Sequence, residues 1–197
     1  MQLDQLRVEQ LAESYFEHLW IIIRDDDRGA NLRDFVDPWW SFSRGHPFVG
    51  GKYPHYSQRT MNNPCACGHE HKERLRRLDW ISDGAAAAKL RRVCKNILKE
   101  GRNDLRSPSD RLVVDHSVPL AKIYQGIFID HSDWEKDDLK KFLTHHMKRA
   151  LLTSEEDRAL DEVRDGQSLK SEMPRDWKWW DDPFARYHAR AIAGGAP

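Results

Sequence analysis

The stretch Arg111-Leu112-Val113-Val114-Asp115-His116-Ser117-Val118-Pro119-Leu120 decides the fold. Its apolar, β-branched run reads as a strand that delivers an adjacent Asp and His to its end. Pro119, two residues beyond Ser117, takes the chain out of the sheet. Metal-dependent cleavage of a phosphodiester needs this pairing. A carboxylate holds a hard divalent cation. A neighbouring imidazole, with a pKa near neutrality, takes the proton from the attacking water. The metal neutralises charge on the scissile phosphate and stabilises the leaving oxygen. The competing reading of the same pair is a turn with a satisfied histidine, in a structural or substrate-binding role.

Downstream, Asp133–Met147 is polar with Leu139, Phe142, Leu143 and Met147 spaced as one helix face. Lys148-Arg149-Ala150-Leu151-Leu152 reads as a short strand. Thr153-Ser154-Glu155-Glu156 fits a capping box, with Glu156 three residues after the cap, and Leu160 and Val163 continue an apolar stripe.

The string Asp115-His116-x-Val118-Pro119-Leu120 resembles the first strand of the HNH nucleases, the ββα-metal group. The resemblance spans roughly residues 110–165. It implies that Asp115 binds a metal and that His116 is the general base. It also implies a second strand and a short helix that returns a further metal ligand. Laid over that junction, Asp157 falls at the ligand position, and Glu156 is the neighbouring candidate as well as the capping residue. The implied cofactor is Mg²⁺ or Mn²⁺ and the implied partner is DNA, in a phage or bacterial defence setting. Asp157 lies 41 residues beyond His116, so the hairpin carries an insertion, placed at 133–147. The family's middle Asn has no counterpart; His131, His145 and His146 are the residues available to orient the base.

Upstream, residues 4–23 read as a helix with Leu11, Tyr15, Leu19, Ile22 and Ile23 on one face. Residues 29–79 are rich in Gly, Pro, Asn and Ser and show little clean periodicity, and the piece from His46 to Pro54 reads as an ordered loop. Residues 83–100 form the best helix pattern of the chain, capped by Asp83 and ended by Gly101. Ala86, Leu90, Val93, Cys94 and Ile97 fall on one side of it, and Arg91, Arg92, Lys95 and Lys99 on the other. The four cations are either a solvated face or a face that contacts nucleic-acid phosphates.

Cys65-Ala66-Cys67-Gly68-His69-Glu70-His71 concentrates thiols and imidazoles of the kind that bind structural zinc, with Cys94 as a further thiol. The spacing is poor for a zinc knuckle, and the alternative is a polar loop with reduced thiols. Three cysteines do not suit a secreted disulfide scaffold. No apolar run approaches a membrane span, and the expectation is a cytoplasmic protein with no membrane partner. A serine hydrolase lacks its Gly-x-Ser-x-Gly elbow.

The 32 basic residues of this 197-residue chain balance its 32 acidic ones, so any nucleic-acid site must come from local clustering. Eight Trp argue against disorder. Several of them follow Pro174, where Trp177-Lys178-Trp179-Trp180 and Phe184-Ala185-Arg186-Tyr187 read as a tail packed across the domain, with Arg186 a reserve phosphate ligand.

The expected architecture is α+β. A mostly helical region (1–109) precedes a small ββα-metal core (110–165) and a Trp-rich wrapping tail (166–197). The expected function is a divalent-metal-dependent DNA endonuclease, a homodimer if both strands are cut. The alternative is a non-catalytic DNA- or protein-binding regulator on a degenerate core of the same kind.

Overall fold

The computed structural model describes residues 5–44, 78–91, 112–131 and 133–196. Helices α1 (Gln5–Arg24) and α2 (Arg33–Ser43) precede strand β1 (Trp80–Ser82) and helix α3 (Asp83–Arg91). Strand β2 (Leu112–His116) leads into helix α4 (Leu120–Gln125), a π-helical turn (Gly126–Asp130) and helix α5 (Lys136–His146). Strand β3 (Arg149–Thr153), helix α6 (Ser154–Asp161), the single turn α7 (Ala185–His188) and strand β4 (Gly194–Gly195) complete the described chain. The protein is α+β, with one mixed sheet in the order β2-β3-β1-β4.

β2 and β3 are antiparallel, and Asp115 pairs with Ala150 while His116 pairs with Arg149. β3 runs straight into α6, because Thr153 is both the last strand residue and the helix cap. Its hydroxyl accepts from the Glu156 amide at 3.2 Å, and the Glu156 carboxylate accepts from the Thr153 amide at 2.7 Å. Two backbone donors of the first turn are thereby satisfied, as the capping-box reading expects.

The connection between β2 and β3 is larger than the expected 133–147 insertion, since its helices begin at Leu120. It packs with α1 and α2 around Phe16, Leu19, Trp40, Ile123, Leu139, Phe142 and Met147. Gly126 permits this packing. A Cβ there would stand 2.6 Å from the Trp179 ring and 2.8 Å from Phe142. Strand alternation gives the sheet two distinct faces. Ala150 and Leu152 join Leu160, Leu169 and Tyr187, whereas Leu151 joins Leu78, Ile81 and Ala85.

α2 lies in the stretch 29–79, whose sequence shows little clean periodicity. Every residue from Val36 to Phe42 is buried, including Asp37 and Ser41, which follow the exposed Arg33 at four-residue steps. Pro38 sits inside the helix, where it lacks the amide that would bond to Asp34 and so reads as a breaker.

Among the described residues, no helix is long and apolar enough to cross a membrane. Cys65, Cys67, His69, His71, Arg92, Lys95 and Lys99 lie outside the described residues. Arg91 is the last described residue of α3.

Candidate active site

Asp115 and His116 are consecutive in an extended strand, so their side chains leave opposite faces of the sheet. Each meets a different set of charges.

His116 shares its face with its cross-strand neighbour Arg149. Its Nε2 lies 3.2 Å from Oδ1 of Asp37, a residue of α2 only 5% exposed. The same oxygen accepts from Nη2 of Arg149, whose side chain is wholly buried. The other carboxylate oxygen accepts from Arg33 Nε at 3.2 Å. An ionised carboxylate can only accept, so Nε2 carries the imidazole proton and Nδ1 keeps the basic lone pair.

The network extends around the Trp40 ring. Arg149 lies over it at 5.0 Å and Arg44 at 4.5 Å. Arg44 pairs with Asp79 at 3.0 Å, and Asp79 also accepts from the Arg149 amide at 2.8 Å. Lys148, half-buried, feels Asp79 and Arg44. Burial and the Arg44 charge hold its ammonium below the usual lysine range, against the pull of Asp79.

Asp115 faces α6 and α7. Its Oδ2 accepts from the Tyr187 hydroxyl at 3.0 Å and from Nη2 of Arg186. Burial pushes this carboxyl above the ordinary range; Arg186 and Tyr187 oppose the shift and the charge of Asp157 adds to it. Arg186 corrects the sequence reading as a phosphate ligand. It is buried and fully used, donating also to the carbonyls of Ser117 at 2.9 Å, Leu169 at 2.8 Å, Lys170 at 3.0 Å and His116.

The other acids named for a metal are engaged too. Asp157 pairs with Lys170 at 2.8 Å. Glu156 holds the capping box and also accepts from the Ser82 hydroxyl. As placed, Asp115, Glu156 and Asp157 do not make a joint donor set for one divalent ion. Among the described residues, no three His, Cys, Asp or Glu groups converge to hold one.

The histidines expected to orient the base lie elsewhere. His145 Nε2 donates to the Asp181 carbonyl at 3.1 Å. His146 is wholly buried against Phe142, Trp177, Trp179 and Trp180, and neither of its ring nitrogens has a hydrogen-bond partner among the described residues. Burial, with the charges of His145, Lys148 and His131, pushes it down to about 3. His131 stands edge-on to Trp134, Phe142 and Trp179. The partner of His116 is instead Asp37, which sequence reasoning missed. Its signal was present: an acid inside the apolar run Phe35-Val36-Asp37-Pro38-Trp39-Trp40 needs a buried partner.

No family model matches this chain, and neither the curated proteins nor the solved structures contain a match to it.

Proposed function

We propose that the chain is an endonuclease that hydrolyses DNA phosphodiester bonds, with His116 as general base. The observation that carries this reading is the Asp37–His116 pair at the end of β2, where a buried carboxylate holds Nε2–H. Nδ1 is then left to take a proton from water as the oxygen attacks phosphorus. The order of elements supports a ββα core of the HNH kind: an antiparallel pair, β2 and β3, runs directly into α6. The carboxylate that holds His116 is met by two guanidiniums, Arg33 and Arg149, so cations outnumber it there, which suits an anionic substrate.

Mg²⁺ or Mn²⁺ at Asp115 and Asp157 remains the cofactor that the resemblance implies; a bound ion would neutralise the phosphate and the leaving oxygen. Asp115 and Asp157 would hold it, with Asp115 also engaged by Arg186 and Tyr187 and Asp157 by Lys170.

A second reading is a non-catalytic DNA- or protein-binding regulator on the same core. The commitment of Asp115 to Arg186 and Tyr187 favours it.

A plasmid-nicking assay in Mg²⁺, in Mn²⁺ and in EDTA separates the two. On the nuclease reading the native chain cuts in at least one condition, and His116→Ala is slower by a factor of ~10²–10⁴. Absence of cutting in all three removes it. A variant that cuts as fast as the native chain removes His116 as the base.

A further inference from the structure

We infer that Arg33 is the residue of the His116 site that meets substrate phosphate, through the free end of its guanidinium. This rests on the reading of that strand end as a phosphodiester site.

One carboxylate fixes the placement. Asp37 accepts from Arg33 Nε at 3.2 Å with one oxygen, and His116 Nε2 lies 3.2 Å from the other. The guanidinium and the imidazole therefore flank the same carboxyl group. Helix geometry supplies the first contact, because Arg33 and Asp37 stand four residues apart on α2. Burial of Val36 and Trp40 in the helical core carries the same carboxylate to His116.

Exposure decides which of the two guanidiniums on Asp37 can meet a substrate. The Arg149 side chain is wholly buried, whereas that of Arg33 is 63% exposed. Arg33 is held through Nε alone. Neither of its Nη groups has a hydrogen-bond partner among the described residues, and no second carboxylate there pairs with it. Asp37 is already matched by Arg149, so the charge of Arg33 is surplus. An anion on the exposed side would balance it. A phosphodiester suits the position, since its paired non-bridging oxygens can accept together from the planar edge of a guanidinium. The Nε contact also holds the long side chain in place before the anion arrives, which lowers the ordering cost of binding.

The test is binding of a 20-base-pair DNA duplex in EDTA, across a salt series, by the native chain, Arg33→Met and Arg33→Lys. Arg164→Gln, at an exposed residue paired with Glu162, serves as control. The contact predicts that Arg33→Met binds about five-fold or more weakly, with a salt slope smaller by about one, while Arg33→Lys and Arg164→Gln keep the native slope. An ion pair with so exposed a partner adds little to the fold, so Arg33→Met should melt close to the native temperature. Nitrogen NMR of the imidazole should show His116 with its proton on Nε2 in both chains, which separates a phosphate contact from a residue that acts through Asp37. Native affinity and slope in Arg33→Met overturn the inference, as does a native chain that does not bind the duplex. A changed tautomer or a much lower melting temperature in Arg33→Met overturns it too, by assigning Arg33 to the support of Asp37. The cleavage reading fails separately. If Arg33→Met loses binding and the native chain cuts in no condition, the phosphate contact stands without the nuclease. If the native chain cuts and Arg33→Met binds and cuts equally well, the nuclease stands without the contact.

Discussion

His116 Nε2 and Asp37 Oδ1 meet at 3.2 Å, although 79 positions separate the two residues in the chain. The carboxylate has two functions at once. It holds the imidazole proton, and it compensates the buried Arg149 guanidinium.

These two functions separate by mutation. Asp37→Ala strips a buried cation of its counter-charge, and urea unfolding should show a loss of ~3–5 kcal/mol. Asp37→Asn keeps an acceptor and the shape but removes the charge that favours one tautomer of His116. Plasmid cutting by Asp37→Asn should fall about tenfold or more in kcat with little change in KM. A folded Asp37→Asn that cuts at the native rate would show that Asp37 serves only Arg149.

Thr153 and Glu156 close the first turn of α6 against the end of β3. Thr153→Ala should cost ~1 kcal/mol. Glu156→Gln keeps a carbonyl oxygen for the Thr153 amide and the Ser82 hydroxyl, so it should be milder. Denaturant midpoints of the two variants check the order. Calorimetric titration with Mn²⁺ separates cap from ligand: a capping residue leaves metal affinity unchanged when Glu156 becomes Gln, and a loss of affinity would reassign it.

His146 makes stability depend on pH. Its folded-state pKa of about 3 lies below the ordinary 6.5, because burial among Trp rings disfavours the cation. The unfolded chain therefore takes up the proton first as pH falls below 6.5. The contribution of a neutral His146 is complete above that pH and declines down to about 3. Across that window the loss is on the order of ~3–5 kcal/mol. His146→Phe should flatten the decline in urea midpoint between pH 6.5 and 4. Parallel curves for variant and native chain would assign the acid sensitivity to other groups, Asp115 opposing it because its raised pKa favours the folded state at low pH.

Local pattern accounts for a definite part of this molecule. The apolar run before Asp115 becomes β2, and Arg149–Thr153 becomes β3. The amphipathic spacing of Leu139, Phe142 and Leu143 becomes the buried side of α5. The Thr153–Glu156 signature becomes a formed capping box. Each of these depends on periodicity or hydrogen bonds within a few residues, which the order of amino acids states directly. α2 escaped because Pro38, inside the helix, reads as a break.

Only the tertiary structure decided what Asp115 and His116 touch. Adjacent in sequence, they read as one catalytic pair. Pleating sends them to opposite faces, one toward Arg186 and Tyr187 and the other toward Asp37. Those partners lie 71, 72 and 79 positions away in the chain. No local spacing encodes a contact of that range; it exists because α2 and α7 bury apolar faces against the two sides of the helical and sheet cores, carrying Asp37 and Arg186 with them. The sequence determined the strand end and its two ionisable residues. The packing of distant apolar surfaces determined which charge each one meets.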